Sequence, residues 1–506
     1  MSITLPLHFH INSPMHNHNY FLFRRLAIRS ILCAATAATL IPAGADVRLP
    51  KYFTSNMMVQ RDQPVRVWGW AEKDEAVSVS FAEKSATTKA DADGGWMVEL
   101  PAVKSGQDLE LTVKGKNSVT LKNIIIGDIW VCSGQSNMEM ALGNCLGGAE
   151  DIKEASLPLI RRIKFKHEVA AKPAADAPAA TEWQVCTPAT APQFTAVGFY
   201  FAREVSLKTG VPIGIVDSNW GGTAIEPWIA LEGLQKVEAL KAGLEARLAG
   251  KDTYCGMYNA MIAPIIKAPV KGALWYQGES NGGEGESYYH KMNALITGWR
   301  QQWGQGDFPF YFVQLASFQT PVDDPAGGNG WAALREAQLK TLALPKTGMA
   351  VITDTVPLAE GADIHPRNKY DVGTRLAQWA LARDYGQAGV VASGPLFKSL
   401  KIVGDKAHLE FDYTGSGLMT GKKEGRAPAT EDKTGKLKKF AIAGADMKWQ
   451  WADAVIEGSA VVVSSAAVKE PVAVRYAFEM NPDGANLYNR EGLPASPFRT
   501  DSGKIR

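Results

Sequence analysis

Cysteine and long apolar runs are both scarce in this chain. It has five cysteines among 506 residues, and their spacing matches no zinc motif, which argues against a metal site. After residue 45, no apolar run is long enough to cross a bilayer. We therefore expect no bound metal and no membrane contact of the mature chain.

An excess of charge of one sign is also missing. Residues 46–506 hold 51 basic and 52 acidic side chains, with no basic stripe and no block of like charges. Binding to nucleic acid needs clustered basic residues that neutralise phosphates, so nucleic acid is not an expected partner. With 46% apolar and 21% charged residues, the chain has the composition of a globular protein, and its oligomeric state stays open.

The first 45 residues have the pattern of an export signal. Arg24 and Arg25 precede an apolar segment at 26–43, and the residues at 43–45 (Ala-Gly-Ala) resemble a small-residue cleavage site. We expect residues 1–45 to be a signal peptide and the mature protein to be periplasmic or secreted. A membrane anchor is the alternative, since about 20 apolar residues can span a bilayer.

Export affects how the remaining cysteines are interpreted. In an oxidising compartment, four cysteines could form two disulfides in three possible connectivities, with Cys132, at the end of a core strand, as a possible buried thiol. The four residues are Cys132, Cys145, Cys186 and Cys255. Their spacing does not select a pairing.

Periodicity divides the mature chain into three parts. Residues 46–122 contain short β-rich runs between turns, which are typical of an antiparallel sandwich. Residues 123–393 alternate apolar strands with helical segments, a pattern that predicts an α/β domain with a doubly wound parallel sheet. Residues 394–506 return to β-rich runs, and we expect a second sandwich-like domain there.

Polar clusters follow the predicted strands of the α/β part. They are SGQSN at 133–137, NWGGT at 219–223, QGESN at 277–281 and a loop with Asp363 and His365. Ligands collect beyond the carboxyl ends of strands in doubly wound sheets. A serine, glycines, an amide and a histidine at one sheet edge suit acyl transfer, which needs a nucleophile, oxyanion donors and a general base.

Ser136 is the predicted nucleophile of this cluster. It follows the apolar run at 124–130, at the point where a buried strand leaves the sheet. The alternative is that its hydroxyl caps the next helix, because serine is favoured at N-caps. The motif differs from the α/β-hydrolase elbow, which needs glycine where this chain has Met138.

His365 is the predicted base, by elimination. Four of the eight histidines lie in the first 45 residues. His167 lies in a basic run that we interpret as a surface strand, His290 at the start of a polar helix and His408 in the C-terminal β-rich part. Only His365 follows a strand of the α/β part and has a carboxylate two residues away.

Four blocks of the sequence resemble the sialate O-acetylesterase family. They are GDIWVCSGQSNMEM, SNWGGTAIEPW, LWYQGESN and DIHPRNKYDVGTRLA, while MMVQRDQPVRVWGWA and NLYNREGLPASPFRTD resemble the family's flanking β domains. The resemblance implies an SGNH-type serine hydrolase domain between two β domains, and removal of O-acetyl groups from carbohydrates without a cofactor. Acetylated sialic acid, xylan and xyloglucan all stay open as substrates. So do an esterase for non-carbohydrate esters and a non-catalytic glycan-binding protein.

The resemblance also implies roles for single residues. Ser136 corresponds to the family's nucleophile and His365 to its base. The oxyanion hole would consist of the Ser136 N–H, the Gly222 N–H and the side-chain amide of Gln277. Substrate-binding residues are expected on the same loops; they are Gln135, Asn137, Trp220, Glu279 and Asn281.

The third member of the triad departs from the family pattern. Many relatives have aspartate three residues before the histidine, where this chain has Ala362. Asp363, two residues before His365, is the expected replacement. Asp354 or a backbone carbonyl group are the alternatives.

Overall fold

The computed structural model describes residues 46–249, 254–356 and 363–503. The predicted signal peptide at 1–45 lies outside the described residues. Among the helices in these ranges, none combines the length and the apolar character that crossing a bilayer requires.

Short strands with alternating burial form the N-terminal region. They are β1 (Met58–Gln60), β2 (Val65–Trp70), β3 (Ala76–Phe81), β4 (Lys84–Lys89), β5 (Gly95–Leu100) and β6 (Leu109–Lys114). β2 pairs antiparallel with β5, and β3 pairs antiparallel with β4 and β6. Val77, Val79 and Phe81 of β3 are buried, as expected for side chains that alternate between the two faces of a sheet.

The long strand β7 (Ser118–Gly134) joins this region to the centre of the molecule. Its first part pairs antiparallel with β6 and its middle pairs parallel with β1, while its last part belongs to the central sheet. The boundary predicted at residue 122 therefore falls inside one continuous strand. One hydrophobic core extends across it, with members from Val47 to Leu396.

A mainly parallel sheet with the order β13-β12-β11-β7-β10-β8-β9 forms the centre of the fold. Its further strands are β8 (Leu157–Lys164), β9 (Gln184–Cys186), β10 (Ile213–Asn219), β11 (Gly272–Tyr276), β12 (Phe310–Val313) and β13 (Thr347–Ala350). Only β9 runs antiparallel to its neighbour in this order. The carboxyl ends of β7, β10 and β11 lie side by side, because Gly134 pairs with both Asn219 and Tyr276.

Helices cover both faces of the central sheet. They are α1 (Ser136–Glu139), α2 (Gly148–Lys153), α3 (Ala196–Thr209), α4 (Leu231–Lys236), α5 (Glu238–Lys241), α6 (Leu244–Ala249), α7 (Glu286–Trp303), α8 (Ala332–Lys340) and α9 (Lys369–Arg383). α3 and α9 pack together on the face where Trp130 of β7 meets Phe201 of α3. α7 lies on the other face, where Trp299 meets Trp275 of β11. The predicted mixed α/β class with a central parallel sheet is confirmed.

The C-terminal strands form additional β-sheet regions. They are β14 (Leu396–Val403), β15 (Lys406–Asp412), β16 (Leu418–Lys422), β17 (Thr430–Glu431), β18 (Phe440–Ala443), β19 (Trp449–Trp451), β20 (Asp453–Glu457), β21 (Ala460–Ser464), β22 (Ala473–Tyr476), β23 (Leu487–Asn489) and β24 (Phe498–Arg499). These strands form three sheets. Leu409, Ile442 and Val463 belong to a second hydrophobic core, separate from the first.

In the described part of the chain, Cys132, Cys145, Cys186 and Cys255 are buried as free thiols. The two disulfides that export would allow are therefore not formed in this structure. Burial raises the pKa of each thiol, which leaves the cysteines protonated and unreactive.

Candidate active site

Ser136 lies on the one-turn helix α1, directly beyond the end of β7. Gly134 lets the chain turn there: its φ is +131°, and a Cβ atom would collide with the backbone carbonyl of Tyr276. The N-cap residue of α1 is Gln135, and no side chain caps the helix. The Ser136 hydroxyl instead lies 2.8 Å from the Nε2 atom of His365, so it does not act as a helix cap.

His365 reaches the serine from the loop before α9. Its side chain is 39% exposed. Asp363 stands beside it: the Oδ1 atom accepts the backbone N–H of His365 at 2.8 Å and lies 3.6 Å from the imidazole Nδ1 atom. The carboxylate thus shapes the loop and faces the ring, but the Nδ1 distance is longer than a hydrogen bond.

Asp354, the alternative carboxylate of the predicted triad, binds other residues. Its two carboxylate oxygens accept the Arg375 guanidinium at 2.6 and 2.8 Å. The Tyr488 hydroxyl also donates to it, at 3.2 Å. Within the described ranges the structure records no contact between Asp354 and His365, so Asp354 is not the carboxylate beside the imidazole.

The glycine pair after β10 lies against the serine. A Cβ atom on Gly221 would lie 3.3 Å from the Cβ atom of Ser136, whereas one on Gly222 would meet open space. The Gly221 N–H donates to Glu139 Oε2 at 2.7 Å. In the part of the chain that the structure describes, the N–H groups of Ser136 and Gly222 have no acceptor. Both remain available to a negative charge that develops beside the serine.

Gln277 is fully buried, and its amide is used inside the protein. The Nε2 atom donates to Asn281 Oδ1 at 2.7 Å and Gln135 Oε1 at 3.1 Å, with the Thr223 carbonyl at 3.2 Å. The Oε1 atom accepts the Tyr288 hydroxyl at 2.8 Å. Three internal acceptors share its two amide hydrogens, so in this structure the amide of Gln277 braces the loops. Its expected role in the oxyanion hole stays a prediction.

Most of the expected substrate-binding residues also lie beneath the site. Gln135, Asn137 and Asn281 are 3% exposed or less, and their amides bond to protein groups. Glu279 Oε1 accepts Asn137 Nδ2 at 2.5 Å, and burial raises the pKa of this carboxyl. The three buried amides act as framework in this structure, whereas Glu279 is half-buried, and the expected role of the four residues in substrate binding stays a prediction.

Trp220 is the expected binding residue that stays at the surface of the site. Its indole stacks on the imidazole of His167, with ring centroids 4.6 Å apart and planes 8° from parallel. His167 Nε2 lies 2.7 Å from Glu139 Oε1. His167 is exposed, as expected for a surface residue, but it follows β8 rather than lying in the strand. Glu139 connects it to the loop of Gly221.

The groups around Ser136 form a set suited to acyl transfer. They comprise an imidazole, a neighbouring carboxylate and two free backbone N–H groups. In the described ranges, no three His, Cys, Asp or Glu side chains are grouped so that they could hold a metal ion.

A family model described as "carbohydrate esterase, sialic acid-specific acetylesterase" matches residues 126–382. The matched span is half of the chain and includes Ser136, Gly222 and His365. The chain belongs to this family.

Relatives support the assignment over most of the chain's length. The human sialate O-acetylesterase is 28% identical over 408 residues, which cover 73% of this chain and 77% of that protein. The rat sialate O-acetylesterase is 27% identical over 528 residues, which cover 90% and 94%. The predicted family is thus confirmed, and this member of it is a carboxylic ester hydrolase for acetylated carbohydrates.

A solved structure shares the fold over most of this chain. The crystal structure of a carbohydrate acetylesterase from Xanthomonas citri matches with a TM-score of 0.81 and 42% identity. The match covers 90% of this chain and 100% of that one. The likeness therefore extends well beyond the catalytic residues.

Sequence reasoning missed three residues of the site: Glu139, His167 and Lys369. A signal existed for Glu139, because residues three apart on a helix share a face with each other, and Ser136 is its partner at that spacing. No such signal existed for Lys369, which begins α9 and is fully buried, since lysine is rarely buried. Its Nζ atom donates to Asn137 Oδ1, and burial lowers the pKa of Lys369 to about 7.

Proposed function

We propose that this family member is an exported serine esterase that removes O-acetyl groups from sialic acids through an acyl-enzyme intermediate. One observation carries the proposal: the Ser136 hydroxyl lies 2.8 Å from the imidazole of His365. An imidazole at hydrogen-bond distance can take the hydroxyl proton, which turns a weak nucleophile into a strong one.

In the first half-reaction, His365 Nε2 accepts the proton while Ser136 Oγ attacks the acetyl carbonyl carbon. The carbonyl oxygen becomes an oxyanion, and the N–H groups of Ser136 and Gly222 donate to it. One such donor is worth about 3 kcal/mol in a serine protease. When the tetrahedral intermediate collapses, the bond to the sugar oxygen breaks and His365 gives that oxygen its proton.

In the second half-reaction, water replaces the sugar. His365 takes a proton from the water as it attacks the acetyl group on Ser136, and acetate leaves as the serine regains its proton. Asp363 is the third member in this proposal, because its carboxylate lies 3.6 Å from Nδ1 and favours the imidazolium that forms in each step. No cofactor takes part in these steps.

Two stacked aromatic rings near the loop of Gly221 offer a binding surface for a sugar. The stacked pair of Trp220 and His167 offers a flat surface, and aromatic rings with one wet edge suit the partly apolar face of a sugar. We assign Trp220 to substrate binding on this basis.

Acetylated plant polysaccharide is the second candidate substrate. The likeness to the Xanthomonas citri carbohydrate acetylesterase, at 42% identity, fits this substrate as well as it fits sialic acid. Xylan and xyloglucan are the polysaccharides to test.

The decisive experiment compares acetate release from O-acetylated sialic acid, acetylated xylan and acetylated xyloglucan, with Ser136→Ala as the control. We expect the highest kcat/KM for the sialic acid ester and loss of release in the variant. Preference for a polysaccharide would select the second candidate. A preference for long acyl chains on 4-nitrophenyl esters would indicate an esterase for other substrates, and sugar binding without acetate release would indicate a glycan-binding protein.

Domain arrangement and export complete the proposal. An SGNH-type esterase domain lies between sandwich-like β domains before residue 123 and after residue 393; the separate core around Leu409 and Ile442 supports the second of these. Export follows from the pattern at 1–45. Edman sequencing of protein recovered from the periplasm or medium should begin near Asp46, and an uncleaved N-terminus in a membrane fraction would contradict this.

A further inference from the structure

Asn137, the residue after Ser136, forms a hydrogen bond to the residue before His365. It follows Ser136 in the chain and is 1% exposed. Its Nδ2 atom donates to the backbone carbonyl of Ile364 at 3.0 Å, and Ile364 directly precedes His365. One buried amide therefore ties the loop that carries the imidazole to the helix that carries the hydroxyl.

Two ionisable side chains determine the orientation of the Asn137 side-chain amide. Lys369 Nζ donates to the Oδ1 atom of Asn137, and Glu279 Oε1 accepts from the Nδ2 atom at 2.5 Å. The Glu279 carboxylate only accepts, so a reversed amide would place an oxygen against an oxygen and lose this bond, whether Lys369 is charged or neutral. The orientation that they select is the one that presents an N–H to Ile364.

The two charges also depend on one another. Lys369 is fully buried, with its Nζ atom 5.2 Å from the centroid of the Tyr276 ring. The Oε2 atom of Glu279 is buried and has no partner in the part of the chain described. Burial lowers the pKa of Lys369 and raises that of Glu279, and the attraction between the two opposes both shifts. Removing one charge would leave the other buried without compensation, which is costly.

We propose that Asn137 is a positioning residue that holds His365 in line with Ser136, and that the pair of Lys369 and Glu279 fixes the orientation of its amide. The inference rests on the proposed roles of Ser136 and His365. All three residues act through the loop of the imidazole rather than on the substrate.

The test measures how well Ser136 and His365 are aligned. A fluorophosphonate probe labels an activated serine, and its rate is measured on the full-length protein together with kcat and KM for 4-nitrophenyl acetate. Asn137→Ala and Lys369→Met should each lower the labelling rate and kcat by about 10- to 100-fold, because small misplacements of reacting groups are that costly. KM should stay within about threefold, since the buried network does not contact this small ester.

A rescue variant separates positioning from a general loss of structure. In Lys369→Met, the Glu279 carboxylate has lost its cation, so Lys369→Met/Glu279→Gln should label about fivefold faster than Lys369→Met alone. Lys439→Met is the matched control. Lys439 is also a mostly buried lysine, paired with Glu479 at 2.8 Å in the C-terminal region, and its loss should leave the labelling rate unchanged.

Each outcome decides one claim. Folded Asn137→Ala that labels within about twofold of the wild type overturns the positioning role, and a double variant no faster than Lys369→Met overturns the role of the charge pair. If Asn137→Ala does not fold, Lys369→Met and the double variant decide the question. Peptide mapping that finds the probe on a residue other than Ser136 overturns the proposed function instead, so the two failures are distinguishable.

Discussion

The Nε2 atom of His365 lies 2.8 Å from the Oγ atom of Ser136, although 229 positions separate the two residues in the chain. No local preference creates a contact of such long range. It arises because the parallel strands of the central sheet deliver their following loops to one edge. The sheet order thus decides which serine meets which histidine.

Replacing either of these two residues should abolish esterase activity. We expect Ser136→Ala and His365→Ala to lower kcat/KM by at least about 10³-fold, because each removes a group that the covalent mechanism requires. Acetate release measures the loss, and circular dichroism checks that the variants fold. His290→Ala is the control, and an inactive His290→Ala beside an active His365→Ala would contradict the assignment of the base.

The role of Asp363 is tested by Asp363→Asn. Blocking the aspartate of a serine-protease triad costs about 10⁴ in kcat. Here the side chain is 57% exposed and lies 3.6 Å from Nδ1, so we expect a smaller loss of about 10²-fold. The measurement is kcat at the pH optimum. A loss below about tenfold would mean that a backbone carbonyl orients the imidazole, because Asp354 is bound to Arg375.

The central sheet and the pair of Ser136 and His365 can be predicted from the sequence. β7 from Ile124 onwards and β10 are buried along both faces, so they read as apolar runs that end at polar residues. The histidine follows by elimination, since few histidines lie in the α/β part of the chain.

The direction of the amide side chains cannot be predicted in the same way. Gln277 follows a strand just as a substrate-binding residue would, yet its amide bonds to Gln135, 142 positions away. Whether an amide faces the substrate or the interior depends on such distant partners. The partner of Lys369 is equally distant in the chain, since its Nζ atom donates to Asn137, 232 positions away.

Glu139 should hold the loop of Gly221 and Gly222 in position. Its carboxylate accepts the Gly221 N–H at 2.7 Å and bonds to His167 at 2.7 Å. Glu139→Ala removes the acceptor of the Gly221 N–H. We expect kcat for 4-nitrophenyl acetate to fall by about 10- to 100-fold, because the loop with the proposed oxyanion donor Gly222 is then no longer held in place. His167→Ala keeps the bond to Gly221, so it should change kcat much less. Equal losses in the two variants would contradict this role of Glu139.

Asp217 should stabilise the end of β10. It is 1% exposed, and its carboxylate contacts Arg162 at 2.7 Å and Lys164 at 3.2 Å. Although burial opposes them, these cations hold the pKa of Asp217 below its usual range. Asp217→Asn leaves Arg162 buried without a carboxylate, and we expect the free energy of unfolding in urea to fall by about 3–5 kcal/mol. The exposed Asp62 provides the control. Asp62→Asn should change the free energy of unfolding by less than about 0.5 kcal/mol.

The buried ammonium of Lys369 should make stability depend on pH. Burial lowers its pKa from 10.5 to about 7 in the folded protein, against the attraction of Glu279, Cys145 and Asp363. Between these two values the unfolded chain binds a proton at Lys369 that the folded chain releases. Raising the pH through this window therefore favours the folded state, and lowering it favours unfolding, with a slope of at most about 1.4 kcal/mol per pH unit.

The measurement is the free energy of unfolding of the wild type and of Lys369→Met, by urea titration at several pH values between about 6 and 9. The comparison is repeated with Glu279→Gln in both proteins, because the titration of Glu279 depends on Lys369, whereas the other titrating groups are treated as common to both. We expect the wild type to gain stability relative to Lys369→Met as the pH rises above about 7, because its lysine is then neutral in the folded state. A difference that stays constant with pH, or that shrinks as the pH rises, would show that Lys369 keeps its charge in the folded protein across this range.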